Sequence, residues 1–204
     1  MSGDVLRWSE YRSMPWKNGG GVTREVASGA VRAPFAAEKP AEEPAHGFDW
    51  RVSIADVDAG GPFSPFPGVD RVITLVEGEG MVLTVDGASQ LVEPLSPFAF
   101  PGDATTDCLL KAGAVRDMNV MTRRGRATAQ VRMVAVAAAQ DAEMVCAEGE
   151  TVLVMAVTEG IGVDGPDGRQ SALGRLDCVR HEGAGVLGLR GEGTVAVIRI
   201  SATR

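Results

Sequence analysis

A lysine, an asparagine and a tryptophan stand directly before three consecutive glycines. In the stretch MPWKNGGGVTREV, residues 14–26, these side chains are Trp16, Lys17 and Asn18. A cation, an amide and a flat ring suit a small carboxylate, and glycine lets the backbone approach a ligand closely. Taken alone, however, the stretch favours an ordinary glycine-rich hairpin loop, because no phosphate-loop spacing follows the glycines.

Three predicted strands carry further polar side chains. In VTREV, alternation places Arg24 on one face of the strand and Glu25, with Thr23, on the other. In FDWRVSIAD, Arg51 points either into a polar layer of the protein or into water, and water is slightly favoured. In VRDMNVMT, Asn119 can donate and accept hydrogen bonds, which suits a carboxylate or amide ligand as well as a backbone cap.

Arg71 begins the strand RVITLVEG, both faces of which are apolar after the arginine. Such a strand is expected to lie between two layers, so the guanidinium needs a partner. That partner is either a protein carboxylate, Glu25 or Asp117, or an anionic ligand inside the protein, and the residues alone favour neither alternative.

Composition indicates a folded globular chain and argues against a nucleic-acid surface. Of the 204 residues, 45% are hydrophobic, and 27 acidic residues outweigh 20 basic ones to give a net charge of -7. Binding to phosphates needs clustered Lys and Arg, and only MTRRGR, residues 121–126, is locally basic. No secretory segment or bilayer-length apolar run is visible, so a cytoplasmic location is expected.

Short apolar runs separated by Gly and Pro predict an all-β protein. The pattern VITLVEGEGMVLTVDG, residues 72–87, is echoed by VLVMAVTEGIGVDG, residues 152–165, so two copies of one antiparallel unit are expected. Residues 31–47 are rich in Ala, Pro and Glu and predict an exposed, flexible insertion. Three widely spaced cysteines, Cys108, Cys146 and Cys178, indicate neither a disulfide framework nor a zinc knuckle.

The motifs MPWKNGGGVTRE, FDWRVSIADVDAGGPFSPFPGVDR, LVEGEGMVL and RDMNVMTRRG resemble the HutD/Ves family of bicupins. The resemblance implies two tandem cupin-like jelly-roll barrels or sandwiches. The N-terminal cupin-like unit would span residues 1–130 and a smaller C-terminal unit residues 131–204. The two units could also exchange strands. It also implies a ligand pocket in the first unit, formed by Trp16, Lys17, Asn18, Arg24, Glu25, Arg51, Arg71 and Asn119.

A metal of the usual cupin kind is not expected. Aligned with the first cupin motif, Pro65, Pro67 and Arg71 stand where two histidines and a glutamate would bind the ion. The second motif, FPGDATTDCLL, has no histidine, and His181 is isolated in the second repeat. The sequence therefore predicts neither a metal nor another cofactor.

The resemblance implies a non-catalytic protein that binds a small anionic metabolite. Members of the family are associated with bacterial histidine utilisation, so a regulator that senses urocanate or formylglutamate is the first hypothesis. The alternative is a metal-independent cupin isomerase or hydrolase, with Glu25 or Asp117 as general base. A third hypothesis is an interaction module that forms a homodimer through the second repeat. No Ser-His-Asp set is apparent, which favours binding over catalysis.

Overall fold

The structure, a computed structural model, describes residues 4–16, 19–31, 47–138 and 142–203. It confirms the all-β prediction, with nineteen strands and one short 3-10 turn, Trp8–Glu10. Contacts divide the described residues into an N-terminal unit, 12–16 and 19–30 with 47–126, and a C-terminal unit, 4–11 and 31 with 127–138 and 142–203. No helix in the part of the chain that the structure describes is long and apolar enough to cross a membrane.

Ten strands form the N-terminal unit as two facing sheets that do not close into a single barrel. They are β2 (Arg12–Pro15), β3 (Gly21–Gly29), β4 (Trp50–Val57), β5 (Gly61–Pro62), β6 (Val69–Glu77), β7 (Met81–Val85), β8 (Ala88–Val92), β9 (Phe98–Pro101), β10 (Thr106–Leu110) and β11 (Val115–Arg123). The larger sheet has the order β2-β3-β4-β11-β6-β9 and the smaller one β5-β10-β7-β8. An apolar core that includes Ile73, Leu75 and Leu83 is shared by the two sheets.

Nine strands form the C-terminal unit, which contains the first strand of the chain. They are β1 (Asp4–Leu6), β12 (Ala127–Val136), β13 (Ala142–Cys146), β14 (Thr151–Ala156), β15 (Ile161–Asp164), β16 (Gln170–Leu173), β17 (Cys178–Glu182), β18 (Gly185–Gly191) and β19 (Gly193–Ala202). The sheets have the orders β1-β17-β14-β19-β12 and β13-β18-β15-β16. The core of this unit includes Val152, Val154 and Leu187.

Strand pairing shows the repeat that the sequence predicted. In the N-terminal unit β6 pairs with β11 and β9, while β7 pairs with β8 and β10. In the C-terminal unit β14 pairs with β19 and β17, while β15 pairs with β16 and β18. Six consecutive strands thus have the same connectivity in both units.

The structure also shows the predicted hairpin turn at Asp86-Gly87 and the state of the three cysteines. The DG turn between β7 and β8 is present, because Asp86 and Gly87 both have positive φ, 46° and 84°, as a tight hairpin turn requires. The three cysteines are buried and free. The predicted insertion at residues 31–47 lies, except for its two ends, outside the described residues.

Candidate functional site

A cavity of about 600 Å³ lies in the N-terminal unit. Strand β4 presents alternate residues to it, and β11 presents the residues that pair with them, because side chains on one face of a sheet recur every second residue. Strand β6 adds Arg71, which pairs with Met121 of β11. The β2–β3 hairpin and the loop between β5 and β6 complete the walls. The lining residues are Met14, Pro15, Trp16, Thr23, Arg51, Ser53, Ala55, Pro62, Phe63, Ser64, Phe66, Arg71, Asp117, Asn119 and Met121.

Arg71 is the buried cation of this cavity and is 5% exposed. Three rings surround its guanidinium carbon, with their centroids 5.2 Å (Phe63), 5.6 Å (Phe66) and 4.9 Å (Phe100) away. Burial lowers the pKa of Arg71 to about 10, against the opposing charge of Asp117. The aromatic faces offset part of the desolvation of the cation, but they offer it no hydrogen-bond acceptor.

Neither protein carboxylate considered as a partner pairs with Arg71. Among the described residues no carboxylate lies within 4.0 Å of its nitrogens, and its buried Nε has no hydrogen-bond acceptor. Glu25 instead accepts a hydrogen bond from Arg51 at 2.8 Å and another from Ser28 at 3.0 Å. Of the two alternatives left by the sequence, the geometry therefore favours an anionic ligand for Arg71.

Asp117 is the second buried ionisable group that lines the cavity. It is 2% exposed, and its Oδ1 accepts no hydrogen bond from the described residues. Burial raises the pKa of Asp117 to about 7, and the charge of Asp56 adds to this, while the charge of Arg71 acts in the opposite direction. An acid group with a pKa near neutrality can change its protonation state when a charged ligand arrives.

Asn119 lies between these two groups. It shares the inner face of β11 with Asp117, is 6% exposed, and has an Oδ1 without a donor among the described residues. Ser53, its partner on β4, also lines the cavity. Along the neighbouring strands β6 and β11, the cavity wall thus presents first a cation, then an amide and then an acid.

The β2–β3 hairpin contributes an aromatic wall. Trp16 lines the cavity, and its indole Nε1 donates to Thr23 Oγ1 at 2.8 Å. Gly21 is needed there, because a Cβ at this position would lie 2.2 Å from the backbone oxygen of Asp56 and 3.1 Å from the Trp16 ring. Lys17 and Asn18, the other two site residues predicted in this loop, lie outside the described residues.

Arg51 faces the cavity rather than bulk water. Its side chain is 14% exposed and forms an ion pair with Glu25, which does not line the cavity. The charge of Arg51 is therefore matched within the protein. Glu25 is thus connected to the cavity through its ion pair with Arg51 and not by lining the wall.

Arg24 is placed away from the cavity, unlike the other predicted arginines. It pairs with Ile54 across the sheet and forms an ion pair with Asp56, which also accepts a hydrogen bond from Arg116 at 2.5 Å. Strand alternation puts Arg24 on the face opposite to Thr23, and only Thr23 lines the cavity. We therefore leave Arg24 out of the proposed site.

Sequence reasoning missed the aromatic residues around Arg71. Phe63 and Phe66 belong to the segment GPFSPFPG between β5 and β6, and Phe100 lies on β9. The repeated Phe and Pro residues of this loop are the one sequence feature that could have indicated an aromatic wall. The path of the loop over the sheet, however, depends on tertiary structure and cannot be predicted from the local sequence. From the sequence, Asp117 is expected as an ion-pair partner or a general base, and its place in the cavity wall comes from the structure.

No group of three or more His, Cys, Asp or Glu side chains within the described ranges is arranged to hold a metal ion. Arg71 stands at the position aligned with the metal-binding glutamate of cupins, and its positive charge would repel a cation placed beside it. The chemistry of the wall suits an anion.

Comparisons with known proteins agree with this architecture. The HutD family model matches residues 8–198. The chain belongs to the HutD family. A 21.2 kDa protein of Pseudomonas putida, described as encoded in the hutC 3′ region, is 35% identical over 198 residues, 96% of each chain. The resemblance to the HutD/Ves family found in the sequence is thus confirmed.

Solved structures support the fold. HutD from Pseudomonas fluorescens SBW25, solved in a formate condition, is 34% identical and has a TM-score of 0.80 over 99% of this chain and 100% of that one. A cupin 2 conserved barrel domain protein from Leptotrichia buccalis, at 6% identity, has a TM-score of 0.56 over 97% of this chain and 100% of its own. The latter similarity shows the cupin-like fold alone, and it confirms the predicted fold class.

Proposed function

We propose that this protein is a non-catalytic binding protein for a small carboxylate. The observation that carries the proposal is the unpaired guanidinium of Arg71, which is buried among three phenylalanine rings at the wall of a cavity of about 600 Å³. A buried charge without a partner destabilises a protein by several kcal/mol. A planar carboxylate fits the fork of donors that a guanidinium offers and would remove that penalty.

The surrounding groups define what else the ligand carries. Trp16 offers a flat apolar wall, and Asn119 with Asp117 offers polar atoms beyond the guanidinium. A small acid that also has a planar or amide portion matches this arrangement of an apolar wall and polar groups around the cavity. Urocanate and formylglutamate both have that composition.

Family membership supports a role connected with histidine utilisation. One relative is described by its position in the hutC 3′ region, and a solved structure at 34% identity is named HutD. We propose that this protein regulates bacterial histidine utilisation by sensing an intermediate of the pathway, such as urocanate or formylglutamate.

Calorimetric titration of the purified protein tests this function. Urocanate, formylglutamate, formate, histidine and glutamate are titrated into the wild type, Arg71→Met and Arg24→Met. Saturable binding of one pathway acid by the wild type and by Arg24→Met, but not by Arg71→Met, supports the proposal. Binding that survives in Arg71→Met, or no binding of any acid, overturns it.

Asp117 supports a second candidate, a metal-independent isomerase or hydrolase. A carboxyl group with a pKa of about 7 at a cavity wall is suited to general acid or base catalysis near neutral pH. Product analysis of the same acids after long incubation separates the two functions. Turnover that disappears in Asp117→Asn while binding persists favours the enzyme, and recovery of unchanged ligand favours the sensor.

A further inference from the structure

We infer that Asp117 binds the ligand as a neutral carboxylic acid, so that each carboxylate bound by Arg71 brings one proton into the cavity. The inference rests on the proposed carboxylate site and adds a binding residue, a protonation state and a ligand preference to it.

The geometry of the cavity provides the first argument. Arg71 and Asp117 both line it, yet they form no ion pair within 4.0 Å, so the cation is free to receive a ligand. A carboxylate placed on Arg71 would add a second negative charge to a small volume that already contains Asp117. Two carboxylates that share one low-dielectric site do not both remain ionised, and one of them takes up a proton.

No other described charged group near Asp117 would stabilise its ionised form once a ligand carboxylate is bound to Arg71. On β4, Arg51 is already paired with Glu25 of β3, and Asp56 raises the pKa of Asp117 further. On β10, the buried thiol of Cys108 has its own pKa raised to about 11 by burial and by neighbouring carboxylates, of which Asp117 is the first. Arg71 is thus the one described cation acting on Asp117 that lacks a carboxylate of its own, and the ligand would neutralise it.

The protonation state before binding points the same way. With a pKa of about 7, Asp117 is half protonated near neutrality in the free protein. An anion on Arg71 removes the one interaction that lowers this pKa, so protonation becomes easier in the complex. The ligand's own carboxylate, which titrates near pH 4 to 5, stays ionised throughout this range.

A neutral Asp117 also sets a preference for the far end of the ligand. A protonated carboxyl group donates one hydrogen bond and still accepts through its other oxygen. Asn119, on the same face of β11, can likewise donate and accept. The site therefore favours a monocarboxylate whose far end is an uncharged polar group, as in urocanate. Of the two proposed ligands it disfavours formylglutamate, a dicarboxylate whose second carboxylate would face Asp117.

Proton uptake is measured directly on the wild-type protein. Trans-3-(2-furyl)acrylate serves as the probe, because its carboxylate is its only titratable group. Titrations at about pH 8 in buffers of different ionisation enthalpy should give about one proton taken up per probe bound, falling towards zero at about pH 6. The dissociation constant should rise by about tenfold per pH unit above the free pKa of Asp117.

Asp117→Asn mimics the neutral acid without needing a proton. It should bind the probe with little dependence on pH and, at about pH 8.5, about tenfold or more tightly than the wild type. Asp107→Asn, the same substitution at an exposed position of β10, should retain the proton uptake of the wild type.

The outcomes separate this inference from the proposed function. Binding that requires Arg71 but takes up no proton at either pH overturns the role of Asp117 and leaves the carboxylate site standing. Absence of Arg71-dependent binding of any acid overturns both. Tighter binding to the wild type than to Asp117→Asn at high pH also contradicts the inference, since it would show that ionised Asp117 assists the ligand.

Discussion

Arg71 and Asp117 face one cavity from neighbouring strands without forming an ion pair. Arg71 lies opposite Met121 and Asp117 opposite Leu75, so their backbones are four residues apart along the β6–β11 ladder, roughly 13 Å of strand. Each group keeps its desolvation penalty, which lowers the pKa of Arg71 to about 10 and raises that of Asp117 to about 7.

Replacement of Arg71 by methionine should stabilise the free protein while it abolishes carboxylate binding. The methionine fills similar volume among Phe63, Phe66 and Phe100 without a buried charge, and we expect a gain of about 1–3 kcal/mol in the free energy of unfolding. Urea denaturation without ligand measures it.

Arg51→Met is the matched control for Arg71→Met. It leaves Glu25 without its ion-pair partner and should lower the free energy of unfolding by about 1 kcal/mol. If both arginine variants were destabilised equally, Arg71 would have a structural partner, and the ligand argument would fail.

Asp117 should make the free protein less stable as the pH rises. Its pKa is about 7 in the folded protein and near the ordinary 3.8 after unfolding, so the folded state binds more protons between these values. Stability supplied by the protonated group is complete below pH 3.8 and is lost as the pH approaches 7, with a slope of up to about 1.4 kcal/mol per pH unit.

Asp117→Asn should remove this slope, which denaturation at several pH values between about 5 and 8 will show. Asp56, whose pKa is lowered by hydrogen bonds from Arg24 and Arg116 that outweigh its burial, contributes stability that disappears only on acidification. Its effect lies below the range measured. An unchanged slope in Asp117→Asn would mean that another group causes the pH dependence.

Arg24→Ala should weaken folding but not ligand binding. Loss of the ion pair with Asp56 removes one of the two arginines on that carboxylate and should lower the free energy of unfolding by about 0.5–2 kcal/mol. The dissociation constant for the carboxylate should stay within about twofold of the wild type, because Arg24 does not line the cavity. A large loss of affinity in a folded variant would return Arg24 to the site.

Gly21→Ala should disrupt the hairpin that carries Trp16. The new Cβ would meet the backbone oxygen of Asp56 at 2.2 Å, and relief of such an overlap requires strand β3 to move, at about 1–3 kcal/mol or more. Thermal denaturation and Trp fluorescence report the change. Gly19→Asn is the control, because Gly19 has a φ of 71° that asparagine tolerates and open space around it, and it should shift stability by about 0.5 kcal/mol at most.

Several features could be predicted because they depend on local sequence alone. Alternation along VRDMNVMT puts Asp117 and Asn119 on the same face of β11, and both side chains line the cavity. Alternation along β3 separated Arg24 from Thr23 in the same way. The repeated strand and turn pattern predicted two equivalent units, because a turn such as Asp86-Gly87 fixes the pairing of its own hairpin.

The sequence by itself thus determined the β architecture, the repeat and which residues of a strand share a face, since these arise from a two-residue period and from short-range turn geometry. Only the tertiary structure decided which groups meet. Strand order and register are set by pairings between distant segments. They place Arg51 beside Glu25, with which it forms an ion pair, and they leave Arg71 without a carboxylate partner among the described residues. The loop that carries Phe63 and Phe66 packs both rings against the Arg71 guanidinium. Arg71 is therefore a buried cation at a cavity wall, and this makes the cavity a candidate binding site for an anion.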